Sequence, residues 1–300
     1  MRILAAIVTH NRCDLLQRCL DHIEAQTLVP DGVLVVNNAS TDGTEAMLML
    51  RDTRFISQDN VGSAGGWHRC IEVALKENFD AVWLMDDDGY PHSHALATLV
   101  KAWQPSAACI SSVVVKENDP EAFVFPFPLL DAVGLPVLLG NPRKLRRIHE
   151  LEPFTKEGAY PFAHLFNGAL INLAAVRQVG NVDRDFFIYG EEVDYFFRLR
   201  RYGRVCSILN ALHMHPDVSQ RPYTPVKVYY YIKNMLVLNS RYFNWPLLRH
   251  GLAVVAVLAR TAKRNGIAVA ISYVIGKGAP AFYSAIGRGL AGKVGKDFDE

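Results

Sequence analysis

The stretch Trp83-Leu84-Met85-Asp86-Asp87-Asp88-Gly89-Tyr90-Pro91 decides how this chain is expected to fold. An apolar run, residues 81–85, stops abruptly at three carboxylates and is followed by Gly-Tyr-Pro, a combination typical of a turn. The pattern predicts a buried strand whose C-terminal end carries concentrated negative charge. Because adjacent carboxylates repel one another, the ionised triplet is costly unless a cation lies among them.

The triplet also suggests a metal site. Successive side chains of a strand point to opposite faces, so Asp86 and Asp88 are expected to share a face and Asp87 to oppose them. Two carboxylates on one face, followed by a glycine, suit an oxygen-binding divalent cation such as Mg²⁺ or Mn²⁺. A solvated acidic turn explains the same residues equally well, because the D-x-D pattern is short and common.

The chain before the triplet alternates between short apolar runs and segments whose apolar residues recur at helical spacing. Short apolar runs at 3–8, 33–36, 55–57 and 81–85 read as strands, and the segments between them have apolar residues at helical spacing. The alternation predicts an α/β fold with a doubly wound, mostly parallel sheet flanked by helices. Ligands of such sheets bind at the carboxyl ends of the strands. The polar clusters at 9–12, 37–40, 60–66 and 86–88 are therefore expected to converge on one crevice.

Composition bounds the possible partners and compartment. The net charge of +2 gives no argument for a nucleic-acid partner. The five cysteines are scattered, odd in number and without a CxxC pair, so neither a disulfide framework nor a zinc site is predicted, and a reducing cytosol fits. The apolar run at 3–8 is too short for a signal peptide and reads as the first strand.

The second part of the chain is less regular. Helices are predicted at 95–103 and 191–202, and strands at 108–115, 162–173 and 205–209. Residues 120–142 are rich in Pro, Phe and Leu and fit either a loop over the cleft or a separate hydrophobic cluster. We expect one catalytic domain at 1–222 and a helical region at 223–300.

The C-terminal region is strongly basic. Between Asp217 and Asp297 there is no acidic residue, whereas twelve lysines and arginines fall there. The apolar runs at 251–259 and 267–276 are shorter than the ~20 residues of a spanning helix. Aromatic and basic residues beside apolar helix faces predict helices lying at a membrane surface, the alternative being an ordinary helical subdomain with a basic solvated face.

Five motifs in order give the chain a family resemblance. They are Ile7-Val8-Thr9-His10-Asn11-Arg12, Val36-Asn37-Asn38-Ala39-Ser40-Thr41-Asp42-Gly43-Thr44, Asn60-Val61-Gly62-Ser63-Ala64-Gly65-Gly66, Asp86-Asp87-Asp88, and Tyr189-Gly190-Glu191-Glu192-Val193-Asp194 with Arg198. The chain resembles the family 2 glycosyltransferases of GT-A fold over roughly residues 3–215. The triple Asp followed by Gly, and Gly-Gly before Trp67, look most like the bacterial galactofuranosyltransferases and rhamnosyltransferases.

The resemblance implies an inverting, metal-dependent glycosyltransferase. Its cofactor would be Mn²⁺ or Mg²⁺ and its donor a nucleotide sugar, UDP-galactofuranose first and dTDP-rhamnose second. The acceptor would be a glycan or a lipid-linked glycan of bacterial surface polysaccharide synthesis, reached from the cytoplasm by an enzyme peripheral to the inner face of the membrane. A sugar nucleotidyltransferase and a non-catalytic membrane-bound subunit are the rival classes, and the sequence leaves the oligomeric state open.

The resemblance also assigns a metal site. Asp86 and Asp88 would hold the cation, with His215 as a third ligand and His213 as its alternative. Imidazole suits Mn²⁺ better than Mg²⁺. Asp87, and Asp86 beside it, would also contact the ribose or sugar of the donor.

For the general base, the resemblance points to the acidic start of a helix. Glu191 and Glu192 are the candidates, with Glu192 favoured. Relatives usually have Asp at the second position, which leaves Asp194 open as well. Ordinary acidic residues at a helix N-terminus are the structural alternative.

Residues at the ends of the other strands are predicted to contact the nucleotide. Thr9, Arg12, Asn38 and Asn60 are expected to hold base and ribose, and Arg69 to reach a phosphate. The pair Gly65-Gly66 would let the backbone approach the donor, unless it serves tight helix–strand packing instead.

Overall fold

The computed structural model describes residues 1–138, 140 and 142–298. They form two compact units. The first comprises Met1–Val182 and Tyr195–Asp217, and the second comprises Asp183–Asp194 and the chain from Val218 onward. Each unit is described by itself.

The first unit begins with the predicted alternation. The strands β1–β4 are Ile3–Thr9, Gly32–Asn38, Phe55–Gln58 and Ala81–Asp86, and the helices α1–α3 between them are Cys13–Glu24, Thr44–Leu50 and Gly62–Lys76. The four strands pair in parallel in the order β3-β2-β1-β4. Every residue of β1 is buried, as expected for a strand covered on both faces. The predicted α/β half is confirmed.

The remainder of the unit completes a mixed sheet. Its elements are β5 (Tyr90–Pro91), α4 (Ala95–Ala102), β6 (Ala107–Lys116), β7 (Asp119–Pro128), β8 (Lys144–Arg147), α5 (Ile148–Leu151), β9 (Ala159–Tyr160), β10 (Asn167–Asn172), α6 (Leu173–Val179), the part of α7 (Glu191–Tyr202) from Tyr195 onward, and β11 (Arg204–His215). Beyond β4 the order continues β10-β6-β11-β5. β10 runs antiparallel to both β4 and β6, whereas β11 is parallel to β6. Strand β4 therefore lies inside the sheet, between β1 and β10.

The strand predicted at 205–209 extends to His215 in β11, and two other segments also differ from the sequence prediction. The strand predicted at 162–173 is confined to Asn167–Asn172, because Asn172 caps α6 by accepting a hydrogen bond from Ala174 N at 2.9 Å. Within the unassigned segment 120–142, residues up to Pro128 belong to β7, which pairs with β6 and β8. Phe123 and Phe127 of β7 join a buried cluster with Leu145. Positions 139 and 141 of the segment lie outside the described residues.

The second unit is helical. Its long helices are α8 (Pro225–Tyr242), α9 (Pro246–Asn265), α10 (Ile267–Ile275) and α11 (Ala279–Leu290). Tyr229, Tyr230, Leu236, Val257 and Phe282 lie in its core. In the described part of the chain, no helix combines the length and the apolarity that crossing a membrane requires.

The division between the units differs from the predicted boundary at 222/223. The second unit starts at Val218 and also takes Asp183–Asp194. The reason is local: the side chain of Asn234 in α8 hydrogen-bonds the backbone carbonyls of Phe186, Ile188 and Tyr189. The segment that the sequence assigned to the catalytic domain is thereby attached to the C-terminal helices.

Candidate active site

The acidic triplet spans the end of a strand and a turn. Strand β4 ends at Asp86, and Asp87 and Asp88 lie in the turn that follows. The two-residue periodicity of a strand therefore stops at Asp86, and the expectation that Asp87 points away from Asp88 is wrong. A single nitrogen of Arg12, Nη1, lies 2.7 Å from Asp87 Oδ1 and 3.1 Å from Asp88 Oδ2, so both carboxylates lie on one side.

The neighbouring strand end holds this turn in place. Thr9, the last residue of β1, donates from Oγ1 to Asp87 Oδ2 at 2.8 Å. Arg12 N-caps α1 and donates to the other oxygen of the same carboxylate. Because β1 and β4 are paired in parallel, their carboxyl ends are adjacent, and polar residues distant in sequence meet there.

Burial raises the free energy of the ionised carboxylates in this turn. Asp87 and Asp88 are each only 2% exposed. Burial raises the pKa of Asp87 above its usual range, and the Arg12 guanidinium acts in the opposite direction. Burial also acts to lower the pKa of Arg12, yet the three neighbouring aspartates raise it overall. Arg12 therefore stays charged and supplies positive charge that the triplet needs.

His215 meets Asp88 at the same edge of the sheet. His215 Nε2, at the end of β11, lies 2.9 Å from Asp88 Oδ1, and the other ring nitrogen lies 2.7 Å from the Pro216 carbonyl oxygen. Two neighbouring ligands of an octahedral ion with bonds of about 2.1 Å lie about 3 Å apart. A carboxylate oxygen and an imidazole nitrogen at this spacing fit a cation such as Mn²⁺.

The full predicted ligand set is not assembled. Among the described residues, no three His, Cys, Asp or Glu side chains are arranged to hold one ion. The predicted set of Asp86, Asp88 and His215 is thus present as a pair, and the role of Asp86 stays a prediction. Two protein ligands are enough for a cation that completes its shell with phosphate oxygens and water.

His213, the alternative ligand, lies beneath the turn. It is fully buried, and neither ring nitrogen has a hydrogen-bond partner among the described residues. A Cβ added at Gly89 would lie 2.3 Å from His213 Nε2, and one at Gly168 would lie 3.1 Å from Nδ1. Burial lowers the pKa of His213 to about 3, so the ring is neutral. The imidazole fills the space under the acidic turn.

The predicted nucleotide-binding residues are distributed differently. Asn38 is buried and bridges the end of β3 and the start of α3, donating to the Gly62 carbonyl oxygen at 3.1 Å and accepting from Gln58 Nε2 at 2.7 Å. Asn60 accepts a hydrogen bond from Gly62 N at 3.1 Å and so shapes the entry to α3. Arg69 pairs with Glu72, one turn further on α3, at 2.6 Å. Contacts of these residues with a nucleotide stay predictions.

The glycine pair serves packing. A Cβ at Gly66 would lie 2.5 Å from Val8 Cγ1 of β1, and one at Gly65 would lie 2.4 Å from Val61 Cγ2. Any larger side chain at Gly66 would push α3 away from β1. Helix–strand packing therefore accounts for Gly66, whereas Gly65 meets Val61, the residue just before its own helix. An approach of their backbone to a donor stays a prediction.

The predicted general base lies in the second unit. Glu191 and Glu192 begin α7, Glu191 being buried and Glu192 partly exposed. Asp194, in the same turn, accepts from Tyr242 Oη at 2.6 Å and Arg241 Nη1 at 3.3 Å. Asp194 is thus engaged by two side chains of α8.

Sequence reasoning missed two residues at the acidic turn. Arg18 of α1 donates from Nη2 to the Asp88 carbonyl oxygen at 3.2 Å and lies 2.9 Å from Glu117. The ring of Phe125 in β7 lies 5.4 Å from that of His215. The apolar spacing between the first two strands predicted a helix there without indicating what Arg18 contacts, and nothing in the sequence of 120–142 pointed to the turn.

The geometry and the motifs agree with a known family. The glycosyl transferase family 2 model matches residues 5–167, which include four of the five motifs. The chain belongs to glycosyl transferase family 2 and is a glycosyltransferase.

Within the glycosyltransferases, the chain is similar to galactofuranosyltransferases of mycobacteria. The chain is 34% identical over 223 residues to galactofuranosyltransferase GlfT1 of Mycobacterium tuberculosis, covering 71% of this chain and 70% of the relative. It is 32% identical over 222 residues to GlfT1 of Mycolicibacterium smegmatis, with 71% and 70% coverage.

Solved structures support the fold. The mannosyltransferase PcManGT of Pyrobaculum calidifontis, in complex with GDP-Man and Mn²⁺, superposes with a TM-score of 0.54 at 16% identity, covering 97% of this chain and 85% of that chain. The GT-A fold predicted from the sequence is confirmed.

Proposed function

We propose that this chain transfers galactofuranose, with inversion, from UDP-galactofuranose to a glycan or lipid-linked glycan acceptor, in a divalent-metal-dependent reaction. The observation that carries the proposal is the pair of Asp88 Oδ1 and His215 Nε2, 2.9 Å apart at the ends of two strands. The galactofuranosyl donor is favoured by the similarity to GlfT1, named as a galactofuranosyltransferase. A dTDP-rhamnose donor is the second candidate.

Asp88 and His215 would hold Mn²⁺ or Mg²⁺, which neutralises charge on the leaving nucleoside diphosphate when bound. The other residues of the turn prepare this pair. Arg12 compensates the charge of Asp87 and Asp88, and Thr9 fixes the orientation of the Asp87 carboxylate. Both oxygens of Asp87 take part in these contacts, so we assign it to holding the turn.

Inversion requires a single displacement. The acceptor hydroxyl attacks the anomeric carbon, the bond from that carbon to the diphosphate oxygen breaks, and the hydroxyl proton passes to a carboxylate. We assign this proton transfer to Glu192, because it begins a helix, is partly exposed, and matches the base motif of the family.

A panel of nucleotide sugars, incubated with the protein, a lipid-linked glycan acceptor and MnCl₂, tests this function. UDP-galactofuranose should give product with the opposite anomeric configuration, measured by NMR. Asp88→Asn and Glu192→Gln should each lower kcat at least 100-fold while circular dichroism stays unchanged. Turnover of dTDP-rhamnose alone would refute the donor, pyrophosphate release from a nucleoside triphosphate would refute the class, and full activity of either variant would refute its assigned role.

We also propose that the second unit attaches the enzyme to the cytoplasmic face of an anionic membrane. Large apolar side chains of α9 and α10 are exposed, Leu247 by 82% and Ile275 by 81%. All charged side chains between Asp217 and Asp297 are basic. Apolar contact and attraction to acidic lipid headgroups would therefore act together.

Vesicle sedimentation tests the attachment. The protein should bind vesicles containing phosphatidylglycerol more tightly than vesicles of phosphatidylcholine alone, and salt should weaken the binding. Leu247→Asp with Ile275→Asp should reduce binding at least tenfold. Leu50→Asp, an exposed leucine of the first unit, is the matched control. Equal sedimentation of all forms, or no preference for the acidic lipid, would contradict the attachment.

A further inference from the structure

The segment that leads into the Glu191–Glu192 turn has an uncommon backbone. Phe187 and Tyr189 have φ angles of 62° and 59°, and Gly190 has a φ of 108°. Residues other than glycine rarely adopt positive φ, and a bulky side chain makes it less favourable still. Such a conformation persists only where the surrounding structure imposes it.

Asn234 of α8 binds the backbone of this segment. Its side-chain nitrogen lies within hydrogen-bond distance of three carbonyl oxygens of this segment, those of Phe186 at 3.1 Å, Ile188 at 2.9 Å and Tyr189 at 2.6 Å. Asn234 is fully buried, so water does not compete for these carbonyls. A Cβ at Gly190 would lie 3.0 Å from Asn234 Cβ, which shows how closely the segment packs on α8.

The other side of the Glu191–Glu192 turn is held by the same helix. Tyr242 and Arg241 of α8 both donate to Asp194. Positions 234, 241 and 242 lie seven and eight residues apart and therefore share one face of α8. The two glutamates thus lie between two points of attachment to one helix.

We propose that Asn234 is a positioning residue for glycosyl transfer: it fixes the backbone of residues 186–190 and thereby the orientation of the Glu191–Glu192 turn. This inference rests on the proposed function, in which Glu192 accepts the proton of the acceptor. The amide group suits this role because its neutral NH2 group has two hydrogens to share among the three carbonyl oxygens. A carboxylate there would repel the carbonyls, and an apolar group would remove the donor.

Asn234→Leu removes the donor and keeps the number and branching of the side-chain heavy atoms. Its kcat should fall at least tenfold while the KM for the donor sugar changes less than twofold, because the change acts on the base. Asn239→Leu is the matched control, since Asn239 is buried on the same helix and its side chain faces His250. Hydrogen exchange of amides 186–191 should accelerate in Asn234→Leu and stay unchanged in the control.

Asn234→Asp adds a pH test that a general loss of stability would not reproduce. A protonated carboxyl can donate one hydrogen bond to a carbonyl, whereas the ionised form cannot. The kcat of this variant relative to wild type should therefore rise as pH falls from 8 to 6. If Asn234→Leu does not fold, Asn234→Ser, which keeps a hydroxyl donor, and Asn234→Asp carry the comparison.

The possible outcomes test the positioning role of Asn234 separately from the proposed function. A wild-type protein that transfers no sugar from any donor would refute the proposed function, while hydrogen exchange would still report whether Asn234 holds the segment. An active wild type together with an unchanged kcat in Asn234→Leu, or an equal loss in Asn239→Leu, would overturn the positioning role.

Discussion

Replacing Arg12 by leucine tests whether this guanidinium neutralises the acidic turn. The substitution removes a charge whose Nη1 lies 2.7 Å from Asp87 and 3.1 Å from Asp88, both 2% exposed. Removing one partner of a fully buried ion pair costs about 3–5 kcal/mol. The Arg12 side chain is 39% exposed, so screening reduces the expected loss to about 2 kcal/mol. The midpoint of thermal unfolding should fall by about 4–8 °C.

The pH dependence of this loss has a definite sign. Burial already raises the pKa of Asp87, and losing Arg12 raises it further. A carboxyl whose folded-state pKa lies above its unfolded value destabilises the fold increasingly as pH rises through that range. The difference between variant and wild type should therefore be larger at pH 7 than at pH 5, measured by calorimetry at both values.

Arg69→Leu is the matched control, because Arg69 is 37% exposed and pairs with the equally accessible Glu72. That surface pair should be worth at most about 0.5 kcal/mol. Millimolar MnCl₂ should also raise the unfolding midpoint of Arg12→Leu more than that of wild type, since a cation can replace the missing charge. Equal shifts for the two arginine variants, or no change with pH, would refute the reasoning.

Two other substitutions follow from the packing around the turn. Gly66→Ala should destabilise the protein by about 1–3 kcal/mol in urea unfolding, because its Cβ would lie 2.5 Å from Val8 Cγ1, and an unchanged midpoint would contradict that contact. Because the folded-state pKa of His213 is about 3, its stabilising contribution is complete above pH 6.5 and is lost progressively toward pH 3. Wild type should lose about 2 kcal/mol more than His213→Leu between pH 7 and pH 5, and parallel stability curves would refute that assignment.

The parallel half of the sheet could be read from the sequence because its signals are local. Continuous apolar runs such as β1 are buried on both faces, and each ends in a polar cluster. The second half carries weaker signals. Strand β7 contains Pro126 and Pro128, residues that argue against a strand unless it pairs irregularly, and its pairing with β8 is indeed interrupted between Ala122 and Phe127.

The site was predictable as a set of residues but not as a set of contacts. The sequence indicated that Thr9, Arg12 and the triplet meet, because parallel strands end at one edge of a sheet. It could not indicate that Thr9 binds Asp87 rather than a ligand, because side-chain direction in a turn does not follow the period of a strand. The position of Asn234 under residues 186–190 depends on tertiary packing alone.

The attachment of residues 183–194 to α8 has a consequence for biosynthesis. A nascent chain that has emerged as far as Asp217 already contains the acidic turn, both histidines of β11 and the two candidate glutamates. It still lacks Asn234, Arg241 and Tyr242, the residues that hold the segment around those glutamates. Under the proposed assignment, catalytic competence is acquired only when the ribosome has delivered α8, well after the sheet has been synthesised.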